Sequence, residues 1–284
     1  VSKTEVERLI TSTANPTIKL IRKLHEKKER LQTGLFYIEG LRIIIEALQQ
    51  GAEVECLVVA PELLTSEFGW QKVEEENRRG IQVLQVGQEV FTSLASKQNP
   101  QGIAAVVRQR WQDASSLRLA SQDLWVALDS VADPGNLGTI LRTNDAVGGK
   151  GVILLDNSTD PYDLTTIRAS MGAIFSQGLV KTTFEQFLQW KQDHDYALIG
   201  TSDRASADYC QASYPLPMIL LMGSERLGLS EEHMRACDQL VSIPMVGRSD
   251  SLNLAVAAGV MLYEIFNQQR ERSGQHSSEK QRKG

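Results

Sequence analysis

Nothing in this 284-residue chain approaches the apolar run that a membrane span requires, and its first residues lack the apolar core of a secretory signal. Cysteine is scarce. Cys56, Cys210 and Cys237 are unevenly spaced with no CxxC pair, which argues against a disulfide framework and leaves reduced thiols in a cytoplasmic protein as the expectation. The histidines His25, His194, His233 and His276 fall at no ligand spacing, so no metal is expected. An excess of basic charge is also missing. The net charge is −5, which excludes a protein that coats nucleic acid with its whole surface but permits a local basic patch. What is present is 42% hydrophobic and 23% charged residues, enough for a packed core, in a length that suits two domains.

The first 31 residues are helical in pattern. Ile18, Ile21, Leu24 and Leu31 recur at near-helical spacing, and Lys19, Arg22, Lys23, Lys27, Lys28 and Arg30 fill the other positions. That face is either solvated or a contact for phosphates, with Glu26 and Glu29 diluting it. Gly34 to Gly40 reads as strand and turn, Leu41 to Gln49 as a helix closed by Gly51, and Val54 to Val59 and Gln82 to Val86 as strands. Glu89 to Ala95 is a short helix and Gly102 to Arg108 a final strand. Residues 1–108 therefore form a small α/β domain, and the polar stretch 109–121 is placed as a linker. Beyond it, strands at Leu124 to Leu128, Gly151 to Leu155, Tyr196 to Gly200 and Met218 to Met222 alternate with helices, which implies a parallel sheet covered on both faces. Ile167 to Phe175 reads as helical, as does the closing segment Leu254 to Phe266. The polar, basic tail 268–284 has no apolar anchor and is expected to be disordered.

Three stretches carry chemistry. Leu240 to Gly259 reads as a short strand ended by Pro244, a polar loop and an alanine-rich helix entered through Ser251-Leu252-Asn253. Such an entry gathers free N–H groups and side-chain oxygens, and Ser251 or Asn253 is its expected cap. The other two are Asp133-Pro134-Gly135-Asn136-Leu137-Gly138, followed by Arg142, and Met222-Gly223-Ser224-Glu225-Arg226-Leu227-Gly228-Leu229-Ser230. Together, and in their order along the chain, they resemble the three motifs of the SpoU/TrmH branch of the SPOUT RNA methyltransferases. The resemblance spans residues 122–267. Upstream, Asn15-Pro16, Lys19, Phe36, Glu39-Gly40 and Gln101-Gly102-Ile103 resemble the substrate-binding domain attached to many such enzymes, itself similar to a small ribosomal-protein fold.

The resemblance implies S-adenosylmethionine as methyl donor, held in a deep trefoil knot in the C-terminal domain, and a ribose 2′-hydroxyl of RNA as acceptor. Gly223, Ile243 and Leu252 match cofactor positions, and Met245 and Thr201 are assigned to the same site. Asn136 and Arg142 match motif one, Glu225 is the only motif carboxylate, and Ser251 and Asn253 match the polar pair of motif three. These five are the catalytic candidates. Lys19, Arg22, Lys23 and Lys27 are the RNA-binding candidates. Ser224 and Arg226 depart from the family pattern, which has Asn and Gly near these places. A guanidinium holds its proton too firmly to act as a base, so Arg142 suits a phosphate clamp or a stabiliser of developing alkoxide better. The N-terminal domain favours ribosomal RNA, with transfer RNA as the alternative. A homodimer is implied as well. Leu254, Val256, Val260, Met261, Ile265 and Phe266 give the closing helix more apolar surface than one face needs. Two other readings remain. Gly135, Gly138 and Asp156 partly fit a dinucleotide-binding fingerprint, although the glycines are spaced GxxG. A catalytically silent RNA-binding module is the third.

Overall fold

The computed structural model describes residues 9–96 and 98–282, with side chains described as far as Arg272. The chain divides into two units. One is Val1–Arg110 with Tyr162–Phe175; the other is Trp111–Pro161 with Ser176–Gly284.

The first unit opens with two short helices, α1 (Pro16–Lys23) and α2 (Lys27–Thr33), in place of one continuous helix. Asn15 starts α1, its side chain accepting from the Thr17 and Ile18 N–H groups ahead of Pro16. Glu26 is extended and separates the two. Residues 1–8 of the expected helix lie outside the described residues. Four strands, β1 (Leu35–Glu39), β2 (Val54–Val59), β3 (Gln82–Gln85) and β4 (Ile103–Arg108), form a sheet in the order β1-β4-β2-β3. β4 runs antiparallel to both neighbours, while β2 and β3 are parallel. Ile18 and Ile21 of α1 share a core with Tyr37, Val58 and Val106 of the sheet and with Val90, Phe91 and Leu94 of α5 (Gln88–Leu94).

The upstream motif residues have structural reasons to be there. Gln101 Oε1 accepts from Leu41 N at 3.1 Å, at the start of α3 (Leu41–Gln49). Gly102 has φ +74°, and a Cβ there would sit 2.5 Å from Leu64 N, so only glycine fits. The helix α4 (Glu67–Arg78) has no counterpart in the sequence reading. Only Phe68, Trp70 and Val73 are large apolar residues in it, and Phe68 is half exposed. Ser66 caps it at Gly69 N, and Trp70 Nε1 donates to Leu64 O.

A continuous domain over 122–267 is expected from the motifs, yet Tyr162–Phe175 packs in the first unit. This segment holds α7 (Leu164–Ser170) and a 3₁₀ turn, Ala173–Phe175, with Met171 at φ 54° ending the helix earlier than the apolar pattern suggests. Arg168 pairs with Glu39, whose carboxylate also accepts from Ser96 N and Oγ at 2.9 Å. Burial raises the Glu39 pKa, but these bonds outweigh it and hold the carboxyl below its usual range. Arg30, 2% exposed, lies 3.5 Å from Asp163 and donates to Leu24 O and His25 O. It is therefore removed from the basic face.

In the second unit all seven strands are parallel, in the order β7-β6-β5-β10-β8-β11-β9. They are β5 (Leu124–Asp129), β6 (Gly151–Leu155), β7 (Gly178–Thr182), β8 (Ala197–Thr201), β9 (Ala207–Asp208), β10 (Met218–Met222) and β11 (Gln239–Ser242). β7 and the following α8 (Phe184–His194) are not read from the sequence. β7 has only two apolar residues, and α8 buries Phe184, Phe187 and Trp190 in a mostly polar helix. β7, β6 and β5 follow the dinucleotide-fold order, but β10 then stands where the next strand in sequence belongs. The expected linker is not free chain from residue 112 on. Gln112 N donates to Leu179 O, Trp190 Nε1 to Leu117 O, and Tyr196 Oη accepts from Leu119 N.

The last helix, α10, runs Leu254–Arg282, so disorder from residue 268 is not what the backbone adopts. Polar side chains anchor it in place of the missing apolar ones. Gln268 donates to Ala212 O, Gln269 to Tyr214 O, and Arg272 to Tyr214 O and Ser213 Oγ.

Candidate active site

β5, β10, β8 and β11 are neighbours in the sheet, so the loops after them meet at its C-terminal edge. Each motif is one of these loops. After β5, the helix α6 (Pro134–Ala146) is capped by Asp133, whose Oδ1 accepts from Asn136 N at 2.7 Å, with Pro134 in the first turn. Asp133 takes the capping role, so the Asn136 side chain is released for other work. Asn136 Nδ2 donates to Glu225 Oε1 at 3.1 Å. The same carboxylate accepts from Ala132 N and Asp133 N, both at 3.1 Å. From motif three, Asn253 Nδ2 donates to Asn136 Oδ1 at 2.9 Å, while Asn253 Oδ1 accepts from Ala255 N and Val256 N at the start of α10. One chain of hydrogen bonds thus ties residue 253 to 136 and 136 to 225. It also fixes the orientation of both amides.

Glu225 is the acceptor at the end of that chain. Burial pushes its pKa up, but the bonds from Ala132, Asn136 and Asp133 prevail and hold the carboxyl below its usual range. A carboxylate held this way is a weak base and a good anchor.

Beside the chain is a cavity of about 370 Å³, within the range of small-molecule sites. Gly223, Ile243, Met245, Leu252 and Thr201 all line it, as do Ser251 and Glu225. Gly223 is needed for a reason other than ligand approach. A Cβ there would lie 2.1 Å from the carbonyl carbon of Gly228, so the loop's own backbone excludes a side chain. Ser251 is exposed and donates weakly to Asp250 Oδ1 at 3.4 Å. Arg142 is exposed on α6 and makes no hydrogen bond or ion pair among the described residues. The geometry joins Asn136, Glu225 and Asn253, sets Ser251 on the cavity wall, and leaves Arg142 outside both.

Known proteins are similar to this chain in sequence and fold. Residues 123–263 match the SpoU rRNA Methylase family, and residues 15–105 match the MRM3-like substrate binding domain. The 23S rRNA (guanosine(2553)-2′-O)-methyltransferase RlmP of Bacillus subtilis is 30% identical over 90% of this chain and 98% of its own. An AdoMet-bound rRNA methyltransferase from Sinorhizobium meliloti superposes with a TM-score of 0.85 at 38% identity, covering 92% of this chain and 98% of that one. AviRb from Streptomyces viridochromogenes, a SpoU methyltransferase also solved with AdoMet, gives 0.80 at 28% identity over 90% and 98%. The chain belongs to the SpoU rRNA methylase family.

Within the SpoU reading the dinucleotide-binding alternative falls, on strand order as well as on glycine spacing. The cavity also has walls that the motifs did not announce. Asp203 and Arg204 follow β8 and line the cavity. Their place depends on β8 lying beside β10, which no local pattern encodes. A second grouping was hidden for the same reason. Ligand atoms of Asp129, Asp156 and His233 lie within 4.8 Å of one another, although the histidines have no ligand spacing in sequence. His233 Nε2 stands 3.8 Å from Asp129 Oδ2, and His233 Nδ1 meets Ser230 Oγ.

The expected RNA-binding residues of the first unit are of two kinds. Lys19, Lys23 and Lys27 are exposed, with Lys23 3.8 Å from Glu29. Arg22 is half-buried and donates to Ser93 Oγ at 2.8 Å and to Thr13 O at 3.4 Å. Its guanidinium is already employed within the unit.

Proposed function

We propose that this chain transfers the methyl group of S-adenosylmethionine to a ribose 2′-hydroxyl of large-subunit ribosomal RNA. The observation that carries the reading is the hydrogen-bonded chain Asn253–Asn136–Glu225 beside a cavity lined by the matching cofactor positions. RlmP and a 23S rRNA (uridine(2479)-2′-O)-methyltransferase of Streptomyces viridochromogenes, by their named activities, supply the RNA class. Residues 1–108 are read as the RNA-binding domain and 122–267 as the catalytic domain, with Tyr162–Phe175 lent to the former. The trefoil knot belongs to this reading. The insertion of β10 between β5 and β8 and of β11 between β8 and β9 supports it.

The residues present suit the cofactor. Ile243 and Leu252 offer apolar walls for adenine, and Thr201, Asp203 and Arg204 offer polar groups for the rest. When bound, it supplies an electrophilic methyl on a sulfonium. The chain's own task is to hold the ribose in line and to stabilise charge on its oxygen. Ser251, on the cavity wall, contacts the ribose. Arg142, exposed and unpaired among the described residues, clamps the adjacent phosphate and favours the developing alkoxide. Asn136, Glu225 and Asn253 hold the three motif loops in register. No metal is assigned a part in this mechanism.

A homodimer completes the proposal. Of the apolar residues on α10, Leu254, Met261 and Ile265 are buried within the chain, but Val256 is 52% exposed and Tyr263 49%. Val246, in the loop before motif three, is wholly exposed. A second copy covering these residues would remove them from water. Light scattering at micromolar concentration is expected to give twice the chain mass, and a monomer would end the dimer proposal. The test of the activity is a map of 2′-O-methylation in total RNA from cells with and without the gene. One ribosomal position should lose its methyl group. An unchanged ribosomal map would refute the reading, and a lost transfer-RNA mark would redirect it.

A further inference from the structure

Besides the candidate active site, the first unit encloses a cavity of about 190 Å³. Phe36, Tyr162, Ile174 and Phe175 line it together with Ala52, Glu53, Arg108 and Arg110. Three of these residues, Tyr162, Ile174 and Phe175, come from the segment that the methylase match covers in sequence but that packs in the first unit. Neither motif three nor the basic helix face uses this place.

Size restricts the occupant. A cavity of about 150 Å³ takes a benzene ring, whereas pockets for larger ligands begin at roughly 300 Å³. At about 190 Å³ this one suits a single heteroaromatic ring system and is too small for a whole cofactor. Its wall is aromatic. Phe36 and Tyr162 have ring centroids 4.6 Å apart, and Phe36 and Phe175 are stacked at 6.3 Å. The wall is also rigid. Tyr162 Oη donates to Arg110 O at 2.8 Å and accepts from Arg110 N at 2.9 Å. Arg110 Nη2 donates to Phe175 O, and Arg108 gives Nε to Glu53 at 3.0 Å and Nη2 to Glu55. A guanidinium has five donors, so both arginines retain some for a phosphate. Glu53 is an acceptor only, which favours a ring bearing an amino group.

We propose that this cavity captures one unstacked, amino-bearing nucleobase of the RNA substrate, with Arg108 and Arg110 on its phosphates. The proposal rests on the reading of RNA as substrate. Proteins that recognise RNA by sequence characteristically take splayed bases against aromatic side chains. The arrangement would set where the RNA is gripped, away from the methyl-transfer edge.

The test uses the full chain and unmodified 23S ribosomal RNA made by transcription. Ultraviolet cross-linking followed by mass spectrometry should find a nucleotide adduct on the peptide containing Tyr162 or Phe175, or on that containing Phe36. Ala52→Phe, which fills the cavity, should weaken RNA binding about ten- to a hundredfold and leave cofactor binding unchanged. Glu53→Gln alters an exposed side chain, so it should fold normally and weaken binding less. Folded variants with wild-type RNA affinity, or adducts confined to other peptides, would overturn the capture site while methyl transfer continued. Protection of the cavity by a free mononucleotide, with no RNA adduct there, would make it a small-molecule site and overturn the proposal. A chain that neither methylates nor cross-links any RNA would remove the functional reading and this one together.

Discussion

The edge of the seven-stranded sheet and the basic face of α1 and α2 are built on different logic. At the sheet edge, residues 117 positions apart, Asn136 and Asn253, touch through their amides, and Glu225 is 89 positions from the asparagine it anchors. At the basic face Lys19, Lys23 and Lys27 meet solvent, with Lys23 3.8 Å from the nearby Glu29, and Arg22 alone of the four candidates reaches a distant partner, Ser93. A polar residue type that must meet a distant partner is constrained by that partner. A lysine that meets solvent is constrained by little. Motif residues are therefore informative where the fold makes them depend on one another, and charge alone is a weak guide.

Arg142 is the sharpest way to break this rule, because it is a motif residue with no partner among the described residues. Arg142→Ala is expected to lower turnover by about two to three orders of magnitude, with cofactor affinity near wild type in calorimetry. Arg142→Lys should retain part of the activity, since a point cation still stabilises charge. A lysine variant whose pH–rate limb moves downward would instead identify residue 142 as the proton acceptor. Near-normal turnover in the alanine variant would remove Arg142 from the mechanism.

How much could be read in advance follows from the same contrast. The alternation of strands and helices is legible because the central parallel strands are buried on both faces, as in the fully buried Leu124–Asp129 and Met218–Met222. The motif residues are legible because three loops carry unusual polar types in a fixed order. What was not legible depends on tertiary order. Nothing local puts β10 beside β5, and so nothing local puts Asp203 on the cavity or His233 beside Asp129. The segment Tyr162–Phe175 lies between two catalytic-domain strands in sequence, and tertiary contacts such as the Arg168–Glu39 and Arg30–Asp163 pairs reveal its allegiance. Polar helices such as α4 and α8 escape a reading that searches for apolar stripes.

On the basic face the structure separates residues that the sequence grouped. If Lys19, Lys23 and Lys27 meet phosphates, replacing all three by alanine should flatten the salt dependence of RNA binding. The logarithmic slope should fall by about 0.7–0.9 for each phosphate that is no longer neutralised. Arg22→Ala should behave differently. It loses bonds to Ser93 and Thr13, so its effect should register mainly in thermal stability. An unchanged slope in the triple variant would make this face merely solvated. The capture of RNA would then fall to other surfaces.

The smallest expected effect concerns Glu225 and tests whether the sheet edge is held by charge. The carboxyl is held below its usual range in the folded chain, with burial opposing and the N–H bonds from Ala132, Asn136 and Asp133 prevailing. In the unfolded chain it titrates in the ordinary carboxylate range. A depressed folded pKa means that the unfolded state takes up the proton first, so stability falls as pH falls. The contribution is therefore fully present above the unfolded value and disappears as pH drops through the folded one. Glu225→Gln should be less stable than wild type at neutral pH by a modest margin, because the site is open to solvent and screening weakens it. That margin should shrink in acid, when the wild-type carboxyl is neutral too. Denaturant melts of both proteins at several pH values measure it. A difference independent of pH would mean that shape and hydrogen-bond count hold the three loops together, and that the negative charge of Glu225 contributes nothing to it.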